Sequence, residues 1–508
     1  MTTSLQGAIT AEACKLIRRH ERYAQLLAEE TERRRRRTTE NVSALQVMRP
    51  AYWDLTPAFD PYLVRARKKA ISHSVRNRLS ARTYTPVPPV CYSVPKKDGG
   101  ERLVAVFPVA DNAVSQYYFR SLLRKNHPRL SSRSYAYRED LTVHDAIQYI
   151  QAEFGTRQRL FIAEYDFRDY FNSISHDYLF QVLDEQRYLI TQREMHVIKS
   201  FLAAPEPQAM LDYSITASPR TRGVPQGTSI SLFLANVAAA PLDRALERLG
   251  VGFVRYADDT LIWSDDYGRI CEAVDWLHET SRAIGSEVNL AKSEGVRLLV
   301  RPGARAELAS TTQVNFVGHK ITLRTVEMRD TAVRKVKERL RELLFFNLLD
   351  APLAGHLNSR QLGRVDRDYY VFILQARRYL YGDLSEKGLR RLRAKGSPLR
   401  RFKGLMAFYP LIDDTQVLAD LDSWLASQAW LTLRRRAEIL RKQGFTTLPP
   451  PHGLSLNDLI KYRRKSKTTG GEIDMRLPSF RRIANVVSQA SRLHGPNIVG
   501  QGGQPYSY

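Results

Sequence analysis

The stretch VGFVRYADDTLIWSDD, residues 251–266, determines the fold predicted for this chain. Two apolar runs surround Asp258 and Asp259, a pattern that predicts two strands joined by a tight turn. Aspartate disfavours strands, and neighbouring carboxylates repel each other when they are partly removed from water. A divalent cation turns this arrangement into a binding site, because hard ions such as Mg²⁺ prefer carboxylate oxygens. The pattern predicts a metal site at the turn, with an ordinary Asp-Asp turn as the alternative.

A third carboxylate is expected on a neighbouring strand that faces the same point. The apolar run RLFIAEYDF, residues 159–167, predicts a buried strand that ends near Asp166. Two metal ions held by three carboxylates would activate an attacking 3′-hydroxyl and stabilise a leaving pyrophosphate. Asp166, Asp258 and Asp259 are therefore the predicted catalytic residues.

The rest of the chain mixes helical and strand-like segments without a regular βαβ repeat, which favours an α+β fold. The N-terminal segment predicts a helix to about residue 50. TPVPPVCYSV (85–94) and RLVAVFPV (102–109) predict two strands around the turn signal Asp98-Gly99. Further predicted elements are a helix from about Asp111 to Lys125, a helix near His176, a long apolar helix before residue 250, a helix in EAVDWLHETSRAIG and a strand pair in QVNFVGHKITL.

After residue 325 the chain is predicted to be helical and basic as far as about Gln443. One apolar helical face in TAVRKVKERLRELLFF is formed by Val333, Val336, Leu340 and Leu343. The LPPP run at 448–451 predicts a boundary, because proline interrupts helices. Beyond this run, KYRRKSKTTGGE is predicted to be a basic loop and the final GQGGQPYSY a flexible end.

The charge balance points to a polyanionic partner. Among 508 residues, 78 are Lys or Arg and 53 are Asp or Glu, which gives a net charge of +25. A field of this sign attracts nucleic acid, whereas a basic surface that only aids solubility is the weaker alternative. The run Arg33–Arg37 is open to two interpretations, a solvated block or a direct contact with RNA.

The cysteines and histidines exclude several other classes of protein. Cys14, Cys91 and Cys271 form no CxxC pair and predict neither a disulfide framework nor a zinc site. The 11 histidines show no metal-ligand spacing. Apolar runs are too short to span a membrane, and the N-terminal residues lack a signal-peptide core. The prediction is a soluble, cytoplasmic protein without a membrane partner.

Six motifs in order resemble those of reverse transcriptases, across roughly residues 60–325 and more weakly to about 436. They are VPKKDGGERLVAV (94–106), EYDFRDYFNSI (164–174), RGVPQGTSISLFLAN (222–236), RYADD (255–259), NLAKSE (289–294) and NFVGH (315–319). The resemblance implies a right-hand polymerase fold. Its predicted parts are a helical N-terminal region with the basic run (1–80), reverse transcriptase fingers and palm (81–325), a helical thumb (326–445) and a basic C-terminal extension with a flexible tail (446–508).

The same resemblance implies roles for individual residues. Asp166, Asp258 and Asp259 would bind two Mg²⁺ ions, with Mn²⁺ as an alternative, aided by the carbonyl of Phe167. Phe171 would be the ring that blocks a ribose 2′-hydroxyl and so selects dNTPs.

Four further residues match positions that contact the incoming nucleotide in this family. Gln226 would contact the nucleotide itself, and Lys292 would lie near its phosphates. Arg102 and Lys96 match basic residues that grip the triphosphate, where cations offset the charge that develops during transfer. Considered singly, either of these two is equally well explained as a surface cation.

The architecture is similar to bacterial defence-associated and abortive-infection reverse transcriptases of the unknown group, which are related to group II intron and retron enzymes. This resemblance implies an RNA-directed DNA polymerase that uses an RNA template or a noncoding RNA in antiviral defence and releases a DNA product. The alternatives are a group II intron maturase, a retron-type enzyme, an inactive RNA-binding scaffold and an RNA-dependent RNA polymerase. The oligomeric state is open, with a homo-oligomer among the alternatives. Tyr506 and Tyr508 are candidate priming hydroxyls, although an inert tail explains them as well.

Overall fold

The computed structural model describes residues 4–95, 101–289, 293–396, 399–465 and 472–499. Helices and strands mix throughout these ranges, which confirms the predicted α+β class. Every helix in the described ranges is too short or too polar to cross a bilayer. The three cysteines all lie in these ranges and form no disulfide, as predicted.

The N-terminal region contains three helices, α1 (Leu5–Arg37), α2 (Pro61–Ala66) and α3 (Lys68–Ala81). Helix α1 begins after Ser4, whose Oγ accepts a hydrogen bond from the Gly7 N–H at 3.1 Å. The helix ends earlier than the predicted residue 50, because Thr38 is extended and pairs with Leu357 in an isolated bridge. Both α2 and α3 pack against α1.

A hairpin and two helices follow, β1 (Val90–Pro95), β2 (Glu101–Val106), α4 (Val109–Asn126) and α5 (Val143–Gly155). The two strands are antiparallel, with Val90 opposite Val106, as predicted. The predicted turn at Asp98-Gly99 lies outside the described residues. Helix α5 begins with a capping box between Thr142 and Asp145, which satisfies N–H groups that have no partner within the helix.

The central sheet has five strands in the order β4-β5-β3-β6-β7. Its elements and the helices between them are β3 (Arg159–Tyr165), α6 (Tyr170–Ser173), α7 (His176–Glu185), α8 (Gln192–Leu202), α9 (Ser229–Leu249), β4 (Gly252–Tyr256), β5 (Asp259–Ser264), α10 (Tyr267–Ile284), β6 (Val296–Val300) and β7 (Ser310–Thr311). A separate three-stranded sheet follows, β8 (Val314–Phe316), β9 (His319–Ile321) and β10 (Val326–Met328).

Alternating residues cover the two faces of the central sheet, as expected for strands buried on both sides. Ala163 and Ile262 belong to one buried cluster, which includes residues of α9 and α10. Ile162 and Leu261 belong to another cluster, which includes residues of α5. The sheet is therefore a rigid support for residues at its strand ends.

The C-terminal part is mainly helical. It contains α11 (Asp330–Leu344), a π-helical turn (Phe345–Leu349), α12 (Asp350–Leu353), α13 (Arg367–Tyr381), α14 (Glu386–Lys395), α15 (Gln416–Lys442), α16 (Leu456–Lys461), β11 (Arg463–Lys465), β12 (Glu472–Asp474), α17 (Phe480–His494) and α18 (Pro496–Val499). Short 3₁₀ turns lie at Ala51–Asp54, His127–Arg129, Met210–Asp212, Ser359–Gln361 and Leu405–Phe408.

The residues that follow the predicted boundary at 448–451 pack into the same core as the helices before it. Leu459, Phe480 and Val487 share one buried cluster with Leu340 and Leu425. The basic segment after residue 460 contains two short antiparallel strands rather than the predicted loop. Ile473 packs against the helical core and Met475 lies within it. This burial explains why the second strand of the pair lies against the helices.

Candidate active site

The turn between β4 and β5 presents the predicted aspartate pair. Tyr256 lies opposite Asp259, so Ala257 and Asp258 form a two-residue connection. Ala257 has a φ of 62°, a conformation that costs an L residue roughly 1–2 kcal/mol. This turn is therefore a strained site at the edge of a rigid sheet, a placement typical of functional residues.

The strand register brings Asp166 beside this turn. In the antiparallel pairing of β3 with β5, Tyr165 lies opposite Thr260, so Asp166 follows the end of β3 at the point where β5 begins with Asp259. Asp166 is fixed from its other side, because its carbonyl accepts a hydrogen bond from the Asn289 N–H at 2.8 Å. Phe167 continues the pairing through a bridge to Val288. Two motifs that are far apart in sequence thus meet at one point.

The carboxylates at this point are electrostatically coupled. Burial and, to a smaller extent, the neighbouring Asp259 and Asp166 together raise the pKa of Asp258 to about 7. A hydrogen bond between the Asp166 and Asp258 side chains also contributes to this pKa. Asp259 is exposed and Asp166 half-buried. A divalent cation would favour the charged forms of all three groups, so this donor set fits Mg²⁺ or Mn²⁺.

Among the described residues, no three His, Cys, Asp or Glu side chains are placed as a ready metal-binding group. The register nevertheless places the three aspartates next to one another, and Asp258 shares a hydrogen bond with Asp166. Carboxylate rotamers change at little cost, whereas strand pairing does not. Rotation of these side chains is therefore needed before the three can hold an ion together.

A buried arginine holds the aspartate turn from beneath. Arg255 lies in β4, and its guanidinium donates to both carboxylate oxygens of Asp243 at 2.7 and 2.6 Å. Its Nη1 also donates to the carbonyl of Ala257 at 3.0 Å, and its Nη2 donates to Ser134 Oγ at 2.8 Å. Burial alone would lower the pKa of Arg255, but the Asp243 carboxylate outweighs this effect and raises it. The strained residue of the turn is therefore tied to a fixed charge pair.

The predicted nucleotide-contacting residues Phe171 and Gln226 lie near this site on connected segments. The Val224 N–H donates to the carbonyl of Phe171 at 2.7 Å, and the Ala105 N–H of β2 donates to the carbonyl of Gln226 at 2.7 Å. Both side chains are half-buried. The segment around Gln226 thus connects β2 to helix α6, which carries Phe171.

Two glycines explain how this segment approaches its neighbours so closely. A Cβ on Gly227 would lie 2.2 Å from the carbonyl oxygen of Ala105, and one on Gly223 would lie 2.6 Å from that of Asn172. Both also have positive φ values. Glycine is therefore required at these two positions for the backbone to pass.

Several predicted residues cannot be placed. Lys96, Lys292, Tyr506 and Tyr508 lie outside the described residues. The backbone of Arg102 is described and pairs with Val94. Their predicted contacts with nucleotide or primer stay predictions.

Sequence reasoning missed Arg255 and Asp243 as parts of the site. A signal was present, because Arg255 is the charged residue in an otherwise apolar strand and Asp243 interrupts a long apolar helix. A charge in such a position is almost always paired when it is buried. The sequence did not show that this pair would contact the turn itself.

Part of the chain is similar to known proteins. Residues 94–321 match the model of the family described as Reverse transcriptase (RNA-dependent DNA polymerase). The COX1/OXI3 intron 1 protein of Saccharomyces cerevisiae is 26% identical over 155 residues, which cover 30% of this chain and 18% of that protein. The match therefore spans less than a fifth of the curated relative's length.

Solved structures with partial similarity include two telomerases. That of Candida albicans with a TWJ fragment of telomeric RNA is 13% identical, with a TM-score of 0.37, and the match covers 75% of this chain and 67% of that chain. Apo telomerase of Candida tropicalis is 11% identical, with a TM-score of 0.37 and coverage of 75% and 71%. The family match and the architecture confirm the predicted right-hand fold, in which a helical thumb follows fingers and palm. Residues 94–321 are thus similar to a reverse transcriptase domain.

Proposed function

We propose that this chain is an RNA-directed DNA polymerase whose catalytic residues are Asp166, Asp258 and Asp259. The observation that carries the proposal is the register of β3 with β5, which sets Asp166 beside the aspartate turn. The raised pKa of Asp258 supports it, because neighbouring carboxylates that are partly removed from water disfavour their charged forms, which a bound metal ion would stabilise.

The roles of the chain's own residues follow from their positions. The three aspartates and the Phe167 carbonyl would hold two Mg²⁺ or Mn²⁺ ions. When bound, the ions would activate the primer hydroxyl and neutralise the leaving pyrophosphate. Phe171 would exclude a ribose 2′-hydroxyl, and Gln226 would orient the incoming nucleotide.

The basic residues of the fingers and of the segment after α10 would complete the nucleotide site. Lys96, Arg102 and Lys292 would neutralise the triphosphate. Cations at these positions cost no reorganisation at the moment of transfer if they are held in place beforehand.

The test is primer extension by the purified full chain on an RNA template with an annealed DNA primer, dNTPs and Mg²⁺ or Mn²⁺. The variant Asp258→Asn/Asp259→Asn is expected to lower incorporation by roughly a hundredfold or more. Asp265→Asn is the matched control, because Asp265 is an exposed neighbour that pairs with Arg157. Equal incorporation by the double variant and the wild type would overturn the proposal.

We further propose that the biological role is antiviral defence with a noncoding RNA as partner, on the basis of the resemblance to defence-associated enzymes. The same Asp258→Asn/Asp259→Asn variant is expected to abolish protection of a host challenged with phage. Sequencing of RNA that co-purifies with the chain would identify the partner. Protection that survives in the variant would favour the RNA-binding scaffold.

A maturase is the second candidate, favoured by the match to a protein named for an intron. In that case the co-purifying RNA would be a spliced or unspliced intron rather than a short separate transcript. The retron-type alternative predicts a short structured RNA joined to the DNA product.

Priming by Tyr506 or Tyr508 also stays a proposal, and the anchoring of α18 supports it. Asn497 donates to both carboxylate oxygens of Asp145 at 2.7 Å, at the start of α5. A stretch of seven residues spans at most about 25 Å when fully extended, which limits how far a priming hydroxyl at position 506 could reach from the anchored Val499. Tyr506→Phe/Tyr508→Phe is expected to abolish covalent attachment of DNA to protein, whereas Tyr462→Phe is expected to leave it unchanged.

A further inference from the structure

The loop of residues 131–140 runs from the surface to the predicted sugar gate and is unusually well fixed. Ser134 forms a bridge to Arg255 in β4. The Arg255 N–H donates to the Arg133 carbonyl, and the Tyr135 N–H donates to the Arg255 carbonyl, both at 2.9 Å. The same strand therefore carries the aspartate turn at one end and supports this loop along its edge.

Two side chains complete the fixation of this loop. Asn236 of α9 donates to the Ala136 carbonyl at 2.9 Å. Arg138 donates to the Ser131 carbonyl at 2.6 Å and to Asp140 at 3.0 Å. The backbone on both sides of Tyr137 is therefore constrained by hydrogen bonds.

Tyr137 itself has a φ of 61°, which is unfavourable for a residue with a large side chain. Glycine would adopt this conformation without strain, so the residue type is not explained by the backbone. The strain directs the Tyr137 ring to the predicted gate. Its centroid lies 6.3 Å from that of Phe171, at an interplanar angle of 80°.

Phe171 has a second aromatic neighbour, Tyr170. Tyr170 is edge-on to it at 6.0 Å and is fully fixed, because it is buried and its hydroxyl donates to the Ala235 carbonyl at 2.7 Å. Tyr137 and Phe171 are both half-buried. Tyr137 and Tyr170 therefore both contact the gate ring edge-on.

We propose that Tyr137 is a positioning residue that holds the Phe171 ring where it excludes a ribose 2′-hydroxyl. The inference rests on the proposed DNA polymerase function and adds a second determinant of sugar selection. It is the ring that acts, because edge-to-face contact restrains Phe171 irrespective of the hydroxyl.

The experiment compares kcat/KM for dATP and ATP in single-nucleotide extension by the full-length chain. Tyr137→Ala and Tyr137→Gly are expected to lower the deoxyribose-to-ribose ratio about three- to tenfold, mainly through faster use of ATP. Tyr137→Phe is expected to keep the ratio of the wild type. Tyr267→Ala is the matched control, because Tyr267 makes a similar edge-on contact with Phe161 at 5.3 Å in β3, before the catalytic end of that strand.

The glycine variant separates the ring from the backbone. Glycine removes the strain as well as the ring, whereas alanine removes only the ring. If Tyr137→Gly restored the ratio that Tyr137→Ala loses, strain rather than ring contact would be responsible and the proposal would be overturned. An unchanged ratio in both variants would overturn it too, provided that Phe171→Ala lowers the ratio. If Phe171→Ala leaves the ratio unchanged, the gate itself fails, and with it the deoxynucleotide selection of the proposed function.

A binding measurement keeps the inference testable if no nucleotide is incorporated by any variant. Thermal unfolding is followed with dATP or ATP in the presence of Ca²⁺, which binds carboxylates without the small octahedral geometry of Mg²⁺. The wild type is expected to show the larger increase in Tm with dATP. We expect the Tm increases with dATP and ATP to become equal in Tyr137→Ala and to stay different in Tyr137→Phe. If they stay different in both variants, the proposal is overturned.

Discussion

The palm and the thumb each contain a buried arginine bound to carboxylates. The palm cluster binds a nearby turn, whereas the thumb cluster joins segments that are far apart in the sequence. In the palm, Arg255 pairs with Asp243, which lies only 12 positions earlier, and also binds the carbonyl of the aspartate turn. In the thumb, Arg436 binds Asp366 at 2.7 Å and Asp368 at 3.0 Å, both of which are buried. His452 binds Asp366 at 2.9 Å. The first cluster fixes a local turn, whereas the second joins segments from distant parts of the chain.

The thumb cluster also includes Arg37, the last residue of the arginine run at the end of α1. Arg37 pairs with Asp368 at 3.0 Å and donates to the Asn347 carbonyl at 3.0 Å. Arg33 donates to the Asn347 side chain at 2.9 Å. Arg34, Arg35 and Arg36 are exposed. The run is therefore divided, with Arg33 and Arg37 attaching α1 to the thumb and the residues between them facing solvent.

The π-helical turn explains how carbonyls become available for these arginines. Asn347 and Leu348 lie in the turn Phe345–Leu349. Arg37 donates to the carbonyl of Asn347, and Arg436 donates to that of Leu348 at 2.6 Å. A π-helical turn disrupts the regular hydrogen bonds of the α-helix, so nearby carbonyls can accept from side chains. The comparison teaches that the buried charge pair of the palm fixes the turn that carries the candidate catalytic residues, whereas the one in the thumb joins distant segments of the chain.

The largest effect is expected from Arg255→Met, which would affect both stability and activity. The variant leaves Asp243 buried without its partner, so the free energy of unfolding should fall by about 3–5 kcal/mol. Incorporation of dNTPs should fall roughly a hundredfold even where the variant is folded, because the turn is misplaced. Urea unfolding and primer extension check these outcomes. Arg248→Met, an exposed change on α9, is the control, and full activity in Arg255→Met would contradict the role given to this pair.

Arg436→Met is expected to have a similar effect on stability with little effect on chemistry. Removal of this buried cation leaves Asp366 without its main partner, which should lower the free energy of unfolding by about 3–5 kcal/mol. The dNTP concentration at half-maximal rate should stay near that of the wild type at temperatures where the variant is folded. Arg435→Met, an exposed neighbour on α15, should change stability by less than about 0.5 kcal/mol. A loss of nucleotide affinity in the folded variant would erase the distinction between the two clusters.

A smaller, pH-dependent effect on the free energy of unfolding is expected from His319, which lies where palm and thumb meet. His319 is buried between the rings of Phe408 and Tyr409, with centroid distances of 5.4 and 5.1 Å. Burial and, to a smaller extent, the nearby His144 together lower its pKa from 6.5 to about 4. A folded-state pKa below the unfolded value means that its stabilising contribution is complete above pH 6.5 and is lost as the pH falls towards about 4.

The expected loss is about 3 kcal/mol between these limits, from 1.36 kcal/mol for each pKa unit. Urea unfolding at a series of pH values measures it, with His319→Gln as the variant in which this part of the pH dependence should disappear. His127→Gln is the control, because His127 is exposed and pairs with Asp140. Equal pH dependence in His319→Gln and the wild type would contradict the prediction.

The smallest effect on the free energy of unfolding is expected from Arg37→Met, at the junction of α1 with the thumb. Arg37→Met removes one of two cations that bind Asp368, and Arg436 remains as the other, so stability should fall by about 2 kcal/mol. Arg35→Met, on the exposed part of the same run, should change it by less than about 0.5 kcal/mol. Thermal unfolding of the two variants compares these values. A larger loss in Arg35→Met would contradict the division of the run.

Much of the fold was predictable from the sequence, because its strands and helices carry strong local patterns. The hairpin at 252–264, the strand 159–165 and the long helix 229–249 all follow from their apolar periodicity and turn signals. The hairpin after residue 460 and the helix Phe480–His494 were missed. Their order depends on burial against helices that come much earlier in the chain, which a local pattern does not show.

Part of the candidate site was also predictable from the sequence. The three aspartates could be foreseen because carboxylates at strand ends are unfavourable without a ligand, although the register of β3 with β5 had to come from the structure. Tyr137 carries no local signal, because the strain at its backbone and its contact with Phe171 exist only in the folded chain. The partners of Arg436 come from positions 366, 368 and 452, so no short stretch of sequence contains that cluster.

The attachment of α1 to the thumb has a consequence for the order of events during synthesis. Arg37 emerges from the ribosome long before Asp368 and the Asn347 carbonyl to which it binds. At about 5–20 residues per second, the roughly 330 residues between Arg37 and Asp368 take on the order of 15 to 70 s to translate. Throughout that interval Arg33 and Arg37 lack their thumb partners. The nascent chain therefore displays a more basic end of α1, close to ribosomal and messenger RNA, than the finished protein does.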